Sequence, residues 1–140
     1  MNEQPGANLK FVSRKRRVRE DKRFVTGTAV FAQDVNLPNM KHCAVVQSPH
    51  PRAKILSIDV SLALAMEGVR YVLTGDEFRA NANDMKFGLN TPEVKWYPLA
   101  VDMTRYAGEW VAVVVADDPY TAEDAAELVE VDYEALKPTI

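Results

Sequence analysis

Residues 110–135 read WVAVVVADDPYTAEDAAELVEVDYEA, and this stretch carries the clearest secondary-structure pattern of the chain. The Val-rich run 111–116 predicts a buried strand, because β-branched residues favour the pleated surface of a sheet. Asp118 followed by Pro119 predicts a helix start, with the carboxylate as N-cap and proline at the first helical position. Alternating apolar and acidic residues over 129–134 then predict a half-exposed strand. Such a strand–helix–strand unit predicts a parallel strand pair joined by a right-handed crossover.

Upstream of this stretch, apolar runs alternate with turn residues. Ser61 and Gly68 are the predicted caps of an Ala/Leu-rich helix over 61–68. Residues 79–96 show no consistent period and predict a long loop. The other predicted elements are strands at Val25–Phe31, 42–48, 53–60 and 69–74 and a helical turn at 75–81. The sequence therefore predicts an α+β fold with one mixed sheet and two or three helices.

Composition indicates a soluble globular chain. Of its 140 residues, 47% are hydrophobic and 26% charged, which is ordinary for one domain. No apolar run approaches the ~20 residues of a membrane span, and the basic N-terminus lacks the apolar segment of a secretory signal. The single cysteine, Cys43, excludes an internal disulfide and is predicted to be a small buried hydrophobe. We expect a cytoplasmic protein without a membrane span.

The basic run SRKRRVREDKR at 13–23 raises the question of its partner. Residues 1–23 hold eight Lys or Arg and three Asp or Glu, a net charge of +5, and the remaining chain therefore carries −8 of the total −3. An acidic body repels phosphate, and the run lacks interleaved aromatic residues, so we expect no nucleic-acid binding. We predict a basic N-terminal arm, 1–23, that docks on protein surface, followed by one domain, 24–140. Its candidate contact residues are Arg16, Arg17 and Arg19.

Motifs that would indicate an active site are missing from the chain. No GxGxxG, GxxxxGK[ST] or GxSxG motif occurs, and neither His42 nor His50 has the spacing of a metal pair. The acidic pairs 117–118 and 123–124 are predicted to cap and charge a helix start. We therefore predict no catalytic, cofactor-binding or metal-binding residue, and an independent small enzyme is disfavoured.

Three stretches together resemble one family. The N-terminal half contains an RF-x-x-G turn at Arg23–Gly27, a Leu-Pro turn at Leu37–Pro38, the SPH turn at Ser48–His50 and Ala-x-Ile-x-x-Ile-Asp at Ala53–Asp59. An Ala-rich segment, Gly-Val and Val-Leu-Thr follow, and the C-terminal third contains Gly-Glu, a Val-rich strand, an Ala-rich helix and VDYEAL. This order resembles the opening of the molybdenum-binding large subunit of molybdenum hydroxylases, the family of xanthine dehydrogenase, aldehyde oxidoreductases and aerobic carbon monoxide dehydrogenase. The resemblance covers residues 14–137 and implies the α/β-hammerhead domain.

The resemblance implies a role without an active site in this chain. In the family, the cofactor loops and the catalytic glutamate follow this domain, so no such residue carries over. It implies a complex that oxidises its substrate with oxygen from water at a molybdopterin–molybdenum centre on a partner large subunit. Electrons would leave through an iron–sulfur subunit and then FAD on a flavin subunit. We expect a non-catalytic subunit or an N-terminal fragment, and the start MNEQPGANLK favours a split subunit. The substrate stays open, from carbon monoxide to purines.

Three residues depart from the family pattern, which puts the contacts that the family makes through these positions in question. Gln47 stands where the family commonly has Arg, Asn39 where it has Gly, and Trp110 where it has Pro. Aromatic residues concentrate in 87–110, and Trp and Tyr favour interfaces. Besides the arm, the candidate interface residues are Ser48, Pro49, His50, Trp96, Tyr97, Arg105, Gly108, Glu109 and Trp110. The alternative hypothesis is a free-standing binding or regulatory module that reuses the hammerhead fold.

Overall fold

The computed structural model describes residues 18–83 and 97–138. The chain divides into two compact units, Met1–Pro38 and Asn39–Ile140. The predicted division into 1–23 and 24–140 stays a prediction, because most of residues 1–23, including Arg16 and Arg17, lie outside the described part.

In the first unit, the predicted strand Val25–Phe31 is wrong. The structure has an α-helix, α1 (Asp21–Val25), and a 3₁₀ helix at Ala32–Asp34. Gly27 adopts φ +68°, and the Thr26 hydroxyl donates to the Lys22 carbonyl. Such local side-chain bonds compete with a sheet ladder and hold the segment in a turn.

The described residues of the second unit form two three-stranded sheets, in which every strand pairing is antiparallel. The first sheet has the order β1-β5-β3 and the second β4-β2-β6. In chain order the strands are β1 (His42–Gln47), β2 (Ala53–Asp59), β3 (Val69–Thr74), β4 (Met103–Thr104), β5 (Trp110–Ala116) and β6 (Glu130–Ala135). The predicted α+β class is confirmed, whereas the single mixed sheet is wrong.

The predicted parallel pair of β5 and β6 is also wrong. β1 and β3 occupy both edges of β5, so no position beside β5 is left for a returning strand. The chain instead passes through a helix, α4 (Pro119–Glu127), and enters the second sheet beside β2. A strand–helix–strand pattern specifies the elements but not which sheet the second strand joins.

Two further helices flank β3, namely α2 (Ser61–Ala65) and α3 (Gly75–Asn81). The N-cap of α2 is Val60 rather than the predicted Ser61, because the Ser61 backbone N–H donates to the Asp59 carboxylate at 2.8 Å. Helix α3 confirms the predicted helical turn. No helix among residues 18–83 and 97–138 combines the length and apolar character needed to cross a bilayer.

Small side chains form much of the core. Helices α2 and α4 place Ala63 and Ala125 against Ala112 and Val114 of β5, and all four are fully buried. Alanines at these contacts allow the helices to approach the sheet closely. Cys43, predicted buried, is exposed, because β1 is an edge strand and its neighbour Ala44 faces the core instead.

Candidate functional site

The SPH turn leaves the end of β1 and is fixed by its own serine. Ser48 is 2% exposed, and its hydroxyl accepts from the His50 N–H at 3.2 Å. The same hydroxyl lies 3.2 Å from that of Thr104, which is fully buried. A serine that bonds the backbone two residues ahead forms a local turn at low cost, so Pro49 and His50 are held rigidly.

A second turn, residues 104–109, is bonded directly to the first. The Ser48 N–H donates to the Glu109 carbonyl at 2.9 Å, and the Gly108 N–H donates to the Ser48 carbonyl at 2.8 Å. Gly108 adopts φ +86°, a left-handed conformation that glycine reaches without strain. We call residues 48–50 and 104–110 together the turn surface.

A buried carboxylate holds the turn surface from inside. Glu109 is 3% exposed and accepts from the Arg105 backbone N–H and, at 3.3 Å, from the Arg105 guanidinium. A buried charge is tolerated only when it is paired and hydrogen-bonded. The pair therefore fixes the conformation of residues 105–109, while about half of the Arg105 side chain stays in solvent.

Two aromatic residues of the turn surface, Tyr106 and Trp110, are exposed. Trp110 begins β5 opposite Gln47, at a register shift in the pairing with β1, and its carbonyl accepts from Ala100 at 2.7 Å. Its backbone is thus anchored while the residue remains 47% exposed, and Tyr106 is 52% exposed. Two exposed aromatics on a fixed backbone are typical of an interaction surface.

His50 packs against the second sheet. Its ring meets that of Tyr133 edge-on, with centroids 5.1 Å apart. The Tyr133 hydroxyl is buried and has no hydrogen-bond partner among the described residues. Burial raises the pKa of the Tyr133 phenol, and the nearby Ser48 side chain opposes that rise.

Most predicted contact residues of the second unit come together here. Tyr97 and Arg105 also line a shallow depression of about 210 Å³. Arg19 lies in the first unit and is exposed, whereas Trp96, like Arg16 and Arg17, lies outside the described residues. The residues brought together are Ser48, Pro49, His50, Arg105, Gly108, Glu109 and Trp110. That these residues form an interface stays a prediction.

Sequence reasoning included Tyr106 among the aromatic residues concentrated in 87–110, but it missed Thr104, which completes the turn surface, and Tyr133, which packs against His50. It also grouped Asp117 with the helix cap. Asp118 does cap α4, with its carboxylate accepting from the Tyr120 and Thr121 N–H groups at 3.0 Å. Asp117 instead binds Lys41 and Arg70. A pattern of acidic neighbours could not separate these two roles.

Known proteins resemble this chain along most of its length. The gamma subunit of the 6-hydroxypseudooxynicotine dehydrogenase complex of Paenarthrobacter nicotinovorans is 42% identical over 125 residues, 84% of this chain and 16% of that protein. The carbon monoxide dehydrogenase large chain of Afipia carboxidovorans is 42% identical and is covered to 15%. The crystal structure of quinoline 2-oxidoreductase from Pseudomonas putida 86 superposes with a TM-score of 0.76 and 38% identity, over 85% of this chain and 16% of that one.

The chain therefore spans about one-sixth of the length of these relatives. Residues 26–137 match the family described as aldehyde oxidase and xanthine dehydrogenase, a/b hammerhead domain. The predicted family is confirmed, and the chain belongs to the aldehyde oxidase and xanthine dehydrogenase family through this hammerhead domain.

Proposed function

We propose that the chain is a non-catalytic structural part of a cytoplasmic molybdenum hydroxylase complex, either as a separate subunit or as the N-terminal fragment of a longer chain. A partner large subunit holds the molybdopterin centre, where the substrate is oxidised with oxygen from water. Iron–sulfur clusters and FAD on further subunits receive the electrons. The family match and the one-sixth coverage support this role, and one relative is itself named as a large molybdopterin subunit.

The described residues do not fit a molybdopterin. A polar cofactor needs free donors in an enclosed cleft. Here the buried Ser48 and Thr104 hydroxyls bond each other, the buried Glu109 carboxylate bonds Arg105, and the Tyr133 hydroxyl, which has no described partner, is itself buried. A glycine can also let a cofactor approach the backbone closely. Of the described glycines, Gly75 has the closest neighbour, but that neighbour is the chain itself, since a Cβ on Gly75 would lie 2.0 Å from the Ala100 carbonyl oxygen. Within these residues no group of three His, Cys, Asp or Glu is arranged to hold a metal ion. We therefore assign the cofactor to the partner chain.

One observation supports the turn surface as the contact with that partner. Ser48, Thr104 and Glu109 of the turn surface are buried and polar, whereas Trp110 is exposed to solvent. An exposed aromatic ring gains no free energy from folding, whereas a partner pocket that covers the ring gains the free energy of removing it from water. The interface that we propose is centred on Trp110 and includes His50 and Arg105.

Native purification tests the complex. The chain is isolated from its own cells, and co-purifying proteins, molybdenum and iron are measured. We expect a stoichiometric larger chain with molybdenum and iron–sulfur absorbance. A metal-free, solitary monomer would overturn the proposal and favour a free-standing binding module.

Substitution of Trp110 tests the surface. We expect Trp110→Ala to weaken association with the co-purified partner by about thirtyfold, the effect of losing a central anchor worth about 2 kcal/mol. Tyr120→Ala is the matched control, because Tyr120 is 77% exposed and lies beyond the opposite end of β5. Equal affinity of the Trp110 variant and the wild type, measured by titration calorimetry, would remove this surface from the interface.

A further inference from the structure

The second sheet ends at β6 on one side. In the order β4-β2-β6, β6 pairs with β2 along one edge only. No other described strand lies along its outer edge. An edge strand presents unpaired backbone donors and acceptors, which is the condition for pairing with another chain.

The hydrogen bonds show which backbone groups point outward. The Leu136 N–H donates to the Arg52 carbonyl at 2.9 Å, so the pair Ala53–Ala135 between them is of the non-hydrogen-bonded kind. The Ile55 N–H likewise turns away from β6, toward the Asp102 carbonyl at 3.0 Å. The N–H and C=O groups of Ala135, and of Tyr133 two residues earlier, therefore point to the outer edge.

The exposed side chains of β6 make this edge negatively charged. Glu130, Asp132 and Glu134 alternate along β6 and are all exposed, so they share one face of the strand. Val131 and Tyr133 occupy the other face and are half-buried. A second copy of β6 would bring carboxylates opposite carboxylates, which destabilises a cross-strand pair. The charges therefore oppose self-pairing and favour a basic partner strand.

We propose that the outer edge of β6 binds an extended segment of a partner protein with Lys or Arg at alternate positions, which adds as a fourth strand to the second sheet. Its backbone bonds Tyr133 and Ala135, its basic side chains face Glu130, Asp132 and Glu134, and its apolar side chains continue the face of Val131 and Tyr133. That the segment belongs to the molybdenum-binding partner rests on the proposed function. The chemistry of the edge does not.

A synthetic peptide tests the edge directly. The probe is Lys-Val-Lys-Val-Lys-Val with blocked ends, added to the full 140-residue chain and followed by amide hydrogen exchange in NMR spectra. We expect the amides of Tyr133 and Ala135 to exchange at least about tenfold more slowly with the peptide bound. The peptide Glu-Val-Glu-Val-Glu-Val is expected to bind about tenfold more weakly or worse, because like charges then oppose each other. No protection, or equal binding of both peptides, would overturn the proposal.

Three variants separate backbone pairing from charge. Ala135→Pro removes one outward N–H, a change that an edge position tolerates, and should abolish the protection, whereas Ala135→Val should retain it. The triple variant Glu130→Lys, Asp132→Lys, Glu134→Lys should reverse the peptide preference, and unchanged preference would contradict the charge argument. If the peptide fails while a molybdenum-containing partner co-purifies, the edge proposal falls and the proposed function stands. If the peptide binds but the chain purifies alone, the proposed function falls and the edge remains a recognition site.

Discussion

Asp117 joins the three strands of the first sheet at one end. It follows β5 and binds Lys41, which precedes β1, and Arg70 of β3, whose Nε lies 2.9 Å from its Oδ1. The hydrogen bond from Arg70, followed by that from Lys41, holds the pKa of Asp117 well below its ordinary value of 3.8. One carboxylate thus connects parts of the chain that are far apart in sequence.

This arrangement predicts a pH-dependent stability. A carboxyl whose folded pKa is depressed contributes stability above its unfolded pKa, and the contribution is lost as pH falls through 3.8 toward the folded pKa. We expect Asp117→Asn to lower the free energy of unfolding at neutral pH, and the difference from wild type to shrink as pH falls below 3.8. Urea unfolding over a pH series measures both quantities. Asp124→Asn, on an exposed position of α4, is the control, and a difference that is constant with pH would contradict the prediction.

Gly75 is required by a close contact rather than by a turn. A Cβ at this position would meet the Ala100 carbonyl oxygen at 2.0 Å and the Val101 Cα at 3.1 Å. Both are main-chain atoms and cannot move aside as a flexible side chain would. The start of α3 therefore packs directly on the backbone of Ala100 and Val101, which leads toward β4 and the turn surface.

We expect Gly75→Ala to lower the free energy of unfolding by about 1–3 kcal/mol, the usual cost of overpacking, or more. Asp76→Ala at the neighbouring exposed position is the control and should cost less than about 1 kcal/mol, since it removes only a surface ion pair with Arg79. Thermal unfolding followed by circular dichroism measures the shift. Equal melting temperatures for the two variants would show that the contact is absent.

Among the elements, helix α4 begins with two agreeing local signals, a capping carboxylate and a proline. The Asp118 carboxylate accepts from two backbone N–H groups, those of Tyr120 and Thr121, and Pro119 stands at the first position. The hydrogen bond from the Thr121 hydroxyl, followed by the one from the Thr121 N–H, lowers the pKa of Asp118. We expect Asp118→Ala to lower the free energy of unfolding, whereas Asp118→Asn, which preserves a capping oxygen, should lower it much less. Chemical denaturation of the wild type and the two variants measures the free energy of unfolding. Equal losses of this free energy in both variants would indicate that the capping hydrogen bonds contribute little.

Elements could be predicted from the sequence where local signals agreed. The Val-rich run became β5, the Asp-Pro pair started α4, and the alternating acids marked β6. The predicted strand at residues 25–31 is absent because the Thr26 and Thr28 hydroxyls donate to backbone carbonyls of the preceding helix. Residue type alone does not reveal these hydrogen bonds. The prediction of a single sheet failed because strand pairing is non-local and depends on which edges of β5 are already occupied. Most candidate contact residues lie together because the SPH turn follows the end of β1, the Gly-Glu turn precedes the start of β5, and these two strand ends are paired.

At the scale of the whole molecule, charge is distributed unequally along the chain. Residues 1–23 carry +5, and the other residues carry −8. In the first unit, the described residues 18–38 include no buried side chain, and Phe24 and Phe31 stack at 5.5 Å. A short basic segment with apolar side chains gains stability by docking on a larger protein surface.

We therefore expect deletion of residues 1–23 to weaken association with the partner and to reduce its salt dependence. Removing a net charge of +5 removes attraction that mobile ions screen within about 10 Å at moderate ionic strength. Titration calorimetry at several salt concentrations gives both the affinity and the slope. Replacement of Arg16, Arg17 and Arg19 by Gln preserves the chain length and should reproduce much of the loss in slope, which separates charge from apolar contact. Unchanged affinity and slope in the deletion variant would show that the arm lies outside the interface, and the turn surface and the outer edge of β6 would then have to account for assembly.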